Sequence, residues 1–338
     1  MHRMKVGLGV AVAAAAVAAG LAFAAVTGAA TGHKQAVTLD LVAYSTPKPV
    51  LTKLISAFQQ TPAGKGVSFA TSYGGSSAQA AAVAAGQPAD VVIFSTGTDM
   101  NLLVDKGLVD RRWANQSYHG VVWNSVVVFA LRNGNPKKIT TWNDLVKPGV
   151  GVLIPNPFTA GIAKWDILAP YVAQRRLGKT DAQGQAFVKK VFDHVVSQDS
   201  SGSNATNTFL SGKGDVLVTF ESEAINGKIP YVIPRQTMLI DIYGAVTRRS
   251  EHRDDVNAFL RYLKSPAGQT ILGTDGYRPV NRQVFRQFAK RFPKRPGETT
   301  VDDKLLGGWR AVDGKWFDPT SGIMARIERG LGVSTSAG

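Results

Sequence analysis

From Val37 onward, short apolar runs and amphipathic stretches follow one another in a regular order. V-T-L-D-L-V-A-Y (37–44) alternates as a strand and stops at Ser45-Thr46-Pro47. P-V-L-T-K-L-I-S-A-F (49–58) places its apolar residues at helical spacing. G-V-S-F-A-T-S-Y (66–73) predicts a second strand, and S-S-A-Q-A-A-A-V-A-A (76–85) a second helix that Gly86 stops. A-D-V-V-I-F-S (89–95) reads as a short buried strand, and T-D-M-N-L-L-V-D-K (98–106) as a third helix. Strands that alternate with helices predict an α/β fold with a parallel sheet.

The order then changes. Residues 118–132 (Y-H-G-V-V-W-N-S-V-V-V-F-A-L-R) form a long β-rich run with no helix after it. T-W-N-D-L-V (141–146) predicts a short helix, G-V-L-I-P-N-P (151–157) a strand, and A-K-W-D-I-L-A-P-Y-V-A-Q-R-R (163–176) a long helix. D-V-L-V-T-F-E (215–221), Y-V-I-P (231–234) and M-L-I-D-I-Y-G-A-V (238–246) return to β, and 254–272 predict one strongly amphipathic helix. Two lobes follow from this pattern, one of residues 37–120 completed by 242–338, the other of 121–241. The β-rich runs near 121–131 and 237–247 are expected to cross between them.

The first thirty residues are a separate object. M-H-R-M-K carries two fixed positive charges, and Val6 to Ala30 carries none. Residues 1–35 are therefore expected to be a secretory signal peptide or an N-terminal membrane anchor, which places the rest in the periplasm or at the outer face of the cytoplasmic membrane. Of the 338 residues, 44% are hydrophobic and 19% charged, a globular composition with room for two domains. The formal charge of +15 is spread along the chain and accompanies no nucleic-acid motif, so no nucleic-acid partner is expected.

Enzymatic constellations are missing. The chain has no cysteine, hence no disulfide, thiolate metal site or thiol nucleophile. No zincin, P-loop, nucleophile-elbow or dinucleotide-binding motif is present, and the five histidines have no ligand spacing. No catalytic residue, metal or cofactor is expected. Glu221 and Glu223 would share one side of a strand, but packing and loop hydrogen bonds are the simpler reading.

What remains is three strand-to-helix corners of small and hydroxyl residues: Tyr73-Gly74-Gly75-Ser76-Ser77, the run from Pro157 to Trp165, and the run from Asp199 to Asn207. A helix N-terminus leaves backbone N–H groups unpaired and carries partial positive charge. Glycine lets an anion approach that backbone, and Ser or Thr adds a hydroxyl donor. Three such corners, drawn from both lobes, point to an anion held between them by dipoles.

The motifs at and around these corners carry a family resemblance. Ser72-Tyr73-Gly74-Gly75-Ser76, Ala89-Asp90-Val91-Val92, Asn135-Pro136-Lys137, Trp142-Asn143-Asp144-Leu145 with Lys147-Pro148-Gly149-Val150, Thr206-Asn207-Thr208-Phe209, Gly214-Asp215-Val216-Leu217 and Tyr277-Arg278-Pro279 occur in the order seen in the sulfate/thiosulfate-binding proteins of ABC importers. The chain resembles that family over nearly all of the part after residue 35. The resemblance implies an α/β, two-lobed periplasmic-binding-protein (type II) fold with a hinged inter-lobe cleft. It also implies a monomer that hands sulfate or thiosulfate to membrane ABC permease subunits. Its ligand-facing positions map onto Ser45, Ser76, Ala160, Gly161, Ile162, Gly202 and Phe220, with Thr159 able to supply a hydroxyl beside Ala160. Where the family pattern has Ser-Ser-Gly, this chain has Thr159-Ala160-Gly161, and Ile162 stands where a glycine often follows. Phe220 replaces an indole donor, Ser45 an Asp and Ser203 an Arg. Side-chain donors are thinned and backbone donors kept. A fully deprotonated tetrahedral dianion suits donors alone, whereas phosphate near neutrality wants an acceptor. Molybdate, which also needs no acceptor, is the alternative ligand.

Overall fold

The computed structural model describes residues 36–335. The expected signal or anchor at 1–35 lies outside the described residues.

The first half of the fold follows the predicted order: β1 (Val37–Tyr44), α1 (Lys48–Gln59), β2 (Val67–Gly74), α2 (Ser76–Ala84), β3 (Val91–Phe94) and α3 (Gly97–Asp105). Then come β4 (Val121–Leu131), β5 (Val152–Leu153), α4 (Gly161–Arg176), α5 (Asp181–Phe192), β6 (Val195–Ser197), α6 (Gly202–Leu210), β7 (Val216–Phe220), α7 (Glu221–Asn226), β8 (Tyr231–Val232) and β9 (Gln236–Val246). The chain closes with α8 (Arg253–Lys264), α9 (Pro266–Thr274), α10 (Arg282–Gln287), β10 (Gly297–Thr299), α11 (Trp309–Val312) and α12 (Ile323–Gly330).

The strands lie in the order β2-β1-β3-β9-β4-β7-β5-β6. β1 pairs in parallel with both β2 and β3, and β5 in parallel with both β6 and β7. These are the parallel neighbourhoods that helical crossovers produce. β4 and β9, each eleven residues long, run antiparallel to each other. β9 also pairs with β3 near its C-terminal end, and β4 pairs with β7 over Val127–Leu131. So β4 carries the sheet from β9, and through it β3, to β7 of the second half. The sheet is mixed rather than parallel because β4 and β9 run antiparallel to each other and to their neighbours β3 and β7. All but one residue of β4 is buried, which explains its continuous apolar sequence.

The predicted single helix over 254–272 is two helices. Ser265 and Pro266 break it: proline has no N–H to donate and disfavours helical geometry at the residue before it. Proline is well placed as the first residue of α9, and the Ser265 hydroxyl caps that helix by accepting the Gly268 N–H at 3.2 Å.

The C-terminal segment touches both sets of helices. Arg310 makes two 2.7 Å bonds to Asp105 at the end of α3. Trp309 stands perpendicular to Trp165 of α4, ring centres 4.8 Å apart. Trp316 packs on Tyr171 of α4, Lys315 pairs with Asp181 of α5 at 2.8 Å, and Glu328 of α12 accepts from Gln198 at 2.9 Å.

Candidate functional site

Three helices of nine, sixteen and nine residues, α2, α4 and α6, bring their N-terminal turns together. Gly75 precedes α2. A methyl group built on it would lie 2.5 Å from the Ser200 carbonyl oxygen, just ahead of α6, and closer still to the carbonyl oxygen of Thr159, just ahead of α4. Only a hydrogen fits there, so the three corners are in contact. The Thr159 carbonyl accepts the Ala78 N–H of α2 at 3.1 Å. Gly161, first residue of α4, lies against Ser95 Oγ, Asp99 and Ser76 Cβ. Gly202, first residue of α6, lies against the Glu223 carboxyl and the Thr46 methyl. The corner after β1, which carries Ser45, therefore meets the corner of α6.

The first-turn N–H groups of Ser76, Ser77, Gly161, Ile162, Gly202 and Ser203 have no acceptor among the described residues. These are the donors that a helix start leaves over. The Ala160 N–H differs, because it bonds the Asn156 carbonyl at 2.9 Å within the turn. The Thr159 hydroxyl also points back to that carbonyl, at 3.4 Å.

Ser76 occupies the predicted corner, but its hydroxyl is engaged. It donates to Asp99 Oδ2 at 2.6 Å, and the Ser77 hydroxyl donates to Asp99 Oδ1 at 2.8 Å. Ser76 Oγ in turn accepts the Ser95 N–H at 3.0 Å. Asp99 sits in the first turn of α3, where the helix dipole favours a negative charge. Ser45 is half-buried and its carbonyl accepts the Lys48 N–H at 3.2 Å. Phe220 is seated in the hydrophobic core, opposite Val127 of β4.

Four participants have roles that the sequence does not show, although Trp165 and Glu223 stand in stretches it singles out. Asp99 orders the two serines of α2. Trp165 of α4 donates its indole N–H to the Ser95 carbonyl at 2.6 Å, tying α4 to the end of β3. Asp166 and Glu223 are buried carboxyls without a cation. Burial pushes Asp166 well above the usual carboxylate range, with the nearby charge of Glu223 adding to the rise. Burial pushes Glu223 up to about 7 against the opposing hydrogen bonds of its threonine neighbours, Thr219 at 2.9 Å and Thr206 at 3.2 Å. Only the Thr96–Asp99 capping pattern left a trace in the sequence, and it announces a helix start rather than a partner for Ser76.

Glu221 and Glu223 do not act as a pair. They fall in the first turn of α7, not on a strand, and diverge: Glu221 forms a buried ion pair with Arg278 at 2.6 Å, while Glu223 turns to its threonines. The ion pair accounts for Glu221; the threonines satisfy Glu223 Oε2, while its Oε1 has no partner among the described residues.

The model of the bacterial extracellular solute-binding protein family matches residues 39–278. The sulfate-binding protein of Salmonella typhimurium is 35% identical over 271 residues, 76% of this chain and 82% of that one. The thiosulfate-binding protein of Pseudomonas aeruginosa is 34% identical over 304 residues, covering 82% and 90%. Among solved structures, the sulfate-binding protein SubI from Mycobacterium tuberculosis superposes with a TM-score of 0.80 at 39% identity, over 83% of this chain and all of that one. With strands crossing between two α/β halves and helix N-termini meeting between them, the chain belongs to the bacterial extracellular solute-binding proteins, within the group of sulfate- and thiosulfate-binding proteins.

Proposed function

We propose that the protein captures sulfate, with thiosulfate as a second ligand, between two lobes and delivers it as a monomer to the permease of an ABC importer. One observation carries this reading: three helix N-termini from the two halves converge and leave six backbone N–H groups without a protein acceptor. Each helix start is equivalent to roughly half a positive charge, so three together offset most of a dianion's charge. The side chains and carbonyls nearest the missing β-carbons of Gly75, Gly161 and Gly202 belong to Thr159, Ser200, Ser95, Asp99, Ser76, Glu223 and Thr46, not to Lys or Arg.

The lobes are residues 37–120 with 242 onward, and 121–241, hinged at β4 and β9; the segment from Trp309 to Glu328 has contacts with both. Ser76, Gly161, Ile162 and Gly202 act through their backbone N–H groups. Ala160 shapes the second corner by holding its turn, and Ser45 with Thr46 closes the site over Gly202. Phe220 contributes packing. The protein releases its ligand unchanged and has no enzymatic step. Residues 1–35 direct export, and among the described residues no helix is long and apolar enough to cross a membrane.

The test is titration calorimetry on the protein lacking residues 1–35, with sulfate, thiosulfate, molybdate and phosphate. Micromolar or tighter sulfate binding with much weaker phosphate binding is expected. A preference for phosphate, or no binding of any oxyanion, refutes the reading.

A further inference from the structure

Ser95 opens the short loop between β3 and α3 and is completely buried. Its backbone is fully used: the N–H donates to Ser76 Oγ at 3.0 Å, and the carbonyl accepts the Trp165 indole at 2.6 Å. Its hydroxyl is not used. Ser95 Oγ is shielded from solvent and has no hydrogen-bond partner. Buried hydroxyls without partners are rare and unfavourable, so one that is held in place from both sides calls for an explanation. The oxygen lies against Gly161, 2.5 Å from where a β-carbon on that residue would stand. Gly161 begins α4, and its N–H is one of those without an acceptor.

We propose that Ser95 Oγ is a direct hydrogen-bond donor to the bound tetrahedral oxyanion, supplying from the β3–α3 loop the side-chain donor that the α4 corner lacks at Ala160. This rests on the reading of the corners as an oxyanion site. The hydroxyls of the α2 and α4 corners are committed elsewhere, Ser76 and Ser77 to Asp99 and Thr159 to its own turn, while Thr46 Oγ1, beside Gly202 at the α6 corner, is a second buried hydroxyl without a partner among the described residues. Asp99 accepts the Ser76 and Ser77 hydroxyls but not that of Ser95, which has no partner among the described residues. A ligand oxygen placed at the Gly161 and Ile162 N–H groups would satisfy the orphaned hydroxyl along with them. Shape supports the assignment, since only glycine at 161 lets the start of α4, with its unpaired N–H groups, come so close to Ser95 Oγ.

The experiment compares wild type, Ser95→Ala and Ser95→Cys by calorimetry with sulfate, and by thermal melting with and without sulfate. Ser95→Ala is expected to weaken sulfate binding roughly 10- to 100-fold, the size of a hydrogen bond to a charged partner. The ligand-free melting temperature should stay the same or rise, since the substitution removes an unsatisfied hydroxyl. Ser95→Cys, with a weaker donor of similar size, should fall between. Wild-type affinity in Ser95→Ala overturns the proposal, as does a lower ligand-free melting temperature with unchanged affinity, which would make Ser95 structural. If Ser95→Ala does not fold, Ser95→Cys decides in the same way: weakened binding supports the proposal and wild-type binding overturns it. Absence of oxyanion binding in the wild type defeats the functional reading itself, a result visible without any variant.

Discussion

Replacing Gly75 with alanine separates closure of the two halves from folding of either. Gly75 has φ −62° and ψ 135°, a conformation any residue adopts, so the added methyl imposes no backbone strain by itself. Its conflict is with two carbonyl oxygens from the opposite half, Thr159 O and, at 2.5 Å, Ser200 O. Both are backbone atoms that no rotamer change can move. To restore ordinary contact, the corners must part by something near an ångström, which also stretches the 3.1 Å bond from Ala78 N–H to Thr159 O. Overpacking of this kind costs roughly 1–3 kcal/mol. Charged against the closed state alone, that weakens ligand binding by about 10- to 100-fold. In an open state the methyl meets neither oxygen, and Gly→Ala at a compatible site stabilises by about 0.4–1 kcal/mol. The expected result is therefore a large loss of sulfate affinity by calorimetry, a smaller ligand-induced compaction by small-angle scattering, and an unchanged or raised melting temperature without ligand. Wild-type affinity and compaction in Gly75→Ala would refute the reasoning. So would a ligand-free melting temperature lowered by several degrees, which would mean that the corners are clamped together whether or not ligand is bound.

Ser76→Ala removes a hydroxyl that serves Asp99, so it should cost stability, about 1–3 kcal/mol in chemical denaturation, more than affinity; Ser76→Glu, which puts charge and bulk at the start of α2, should abolish binding in calorimetry. Arg278→Met strands the fully buried Glu221 carboxyl, whose partner Arg278 is only 2% exposed, and is expected to cost about 3–5 kcal/mol by the same denaturation measurement. Glu223 titrates at about 7 in the folded protein against 4.5 for an ordinary glutamate, because burial favours its neutral form. Between those values the folded state holds a proton that the unfolded chain has released, so the contribution is present below pH 4.5 and is lost as pH rises to 7. The gap corresponds to roughly 3 kcal/mol at most. Glu223→Gln should flatten this part of the stability-versus-pH curve, and parallel curves for the two proteins would show that Glu223 does not titrate in this range.

The elements that the sequence announces best are those whose signals are local. β1 through α3 follow from apolar spacing, and the lack of a helix after the run at 118–132 marks β4 as a crossing strand. The three corners are visible because glycine, serine and threonine cluster just where apolar periodicity resumes. What they do to one another is not visible. Ser76 reads as a free hydroxyl until a residue twenty-three positions later, Asp99, proves to be its acceptor. Ser95 reads as the polar end of a strand until Gly161 arrives beside it. Glu221 and Glu223 look paired because strand alternation was assumed, and α7 begins at Glu221 instead. The C-terminal contacts are illegible for the same reason: Trp309 and Trp316 are apolar residues in a stretch of weak periodicity, and their partners Trp165 and Tyr171 belong to a helix buried along nearly its whole length.

The carboxyls around the site bear on how it can favour an anion at all. A proposed dianion site with Asp99 and Glu223 beside its glycines, and Asp166 close enough to Glu223 to feel its charge, looks self-defeating if each carries a full charge. Their surroundings differ in a way that removes most of the conflict. Asp166 and Glu223 are held toward the neutral form by burial, and a neutral carboxyl does not repel an anion. Asp99 accepts two serine hydroxyls and lies at the start of α3, so its charge is met by donors of its own. It also orients α2, the helix whose first-turn N–H groups face the other corners. The acid thus orders the donors, while the partial charges of three helix starts supply the attraction. Because those partial charges are carried by backbone groups, which keep their hydrogens at every physiological pH, the site's preference depends on which anion needs only donors. Hydrogen phosphate brings a proton that must find an acceptor, so if the corners hold an oxyanion as proposed, phosphate would have to draw on the Asp99 carboxyl beside Gly161 or the Glu223 carboxyl beside Gly202.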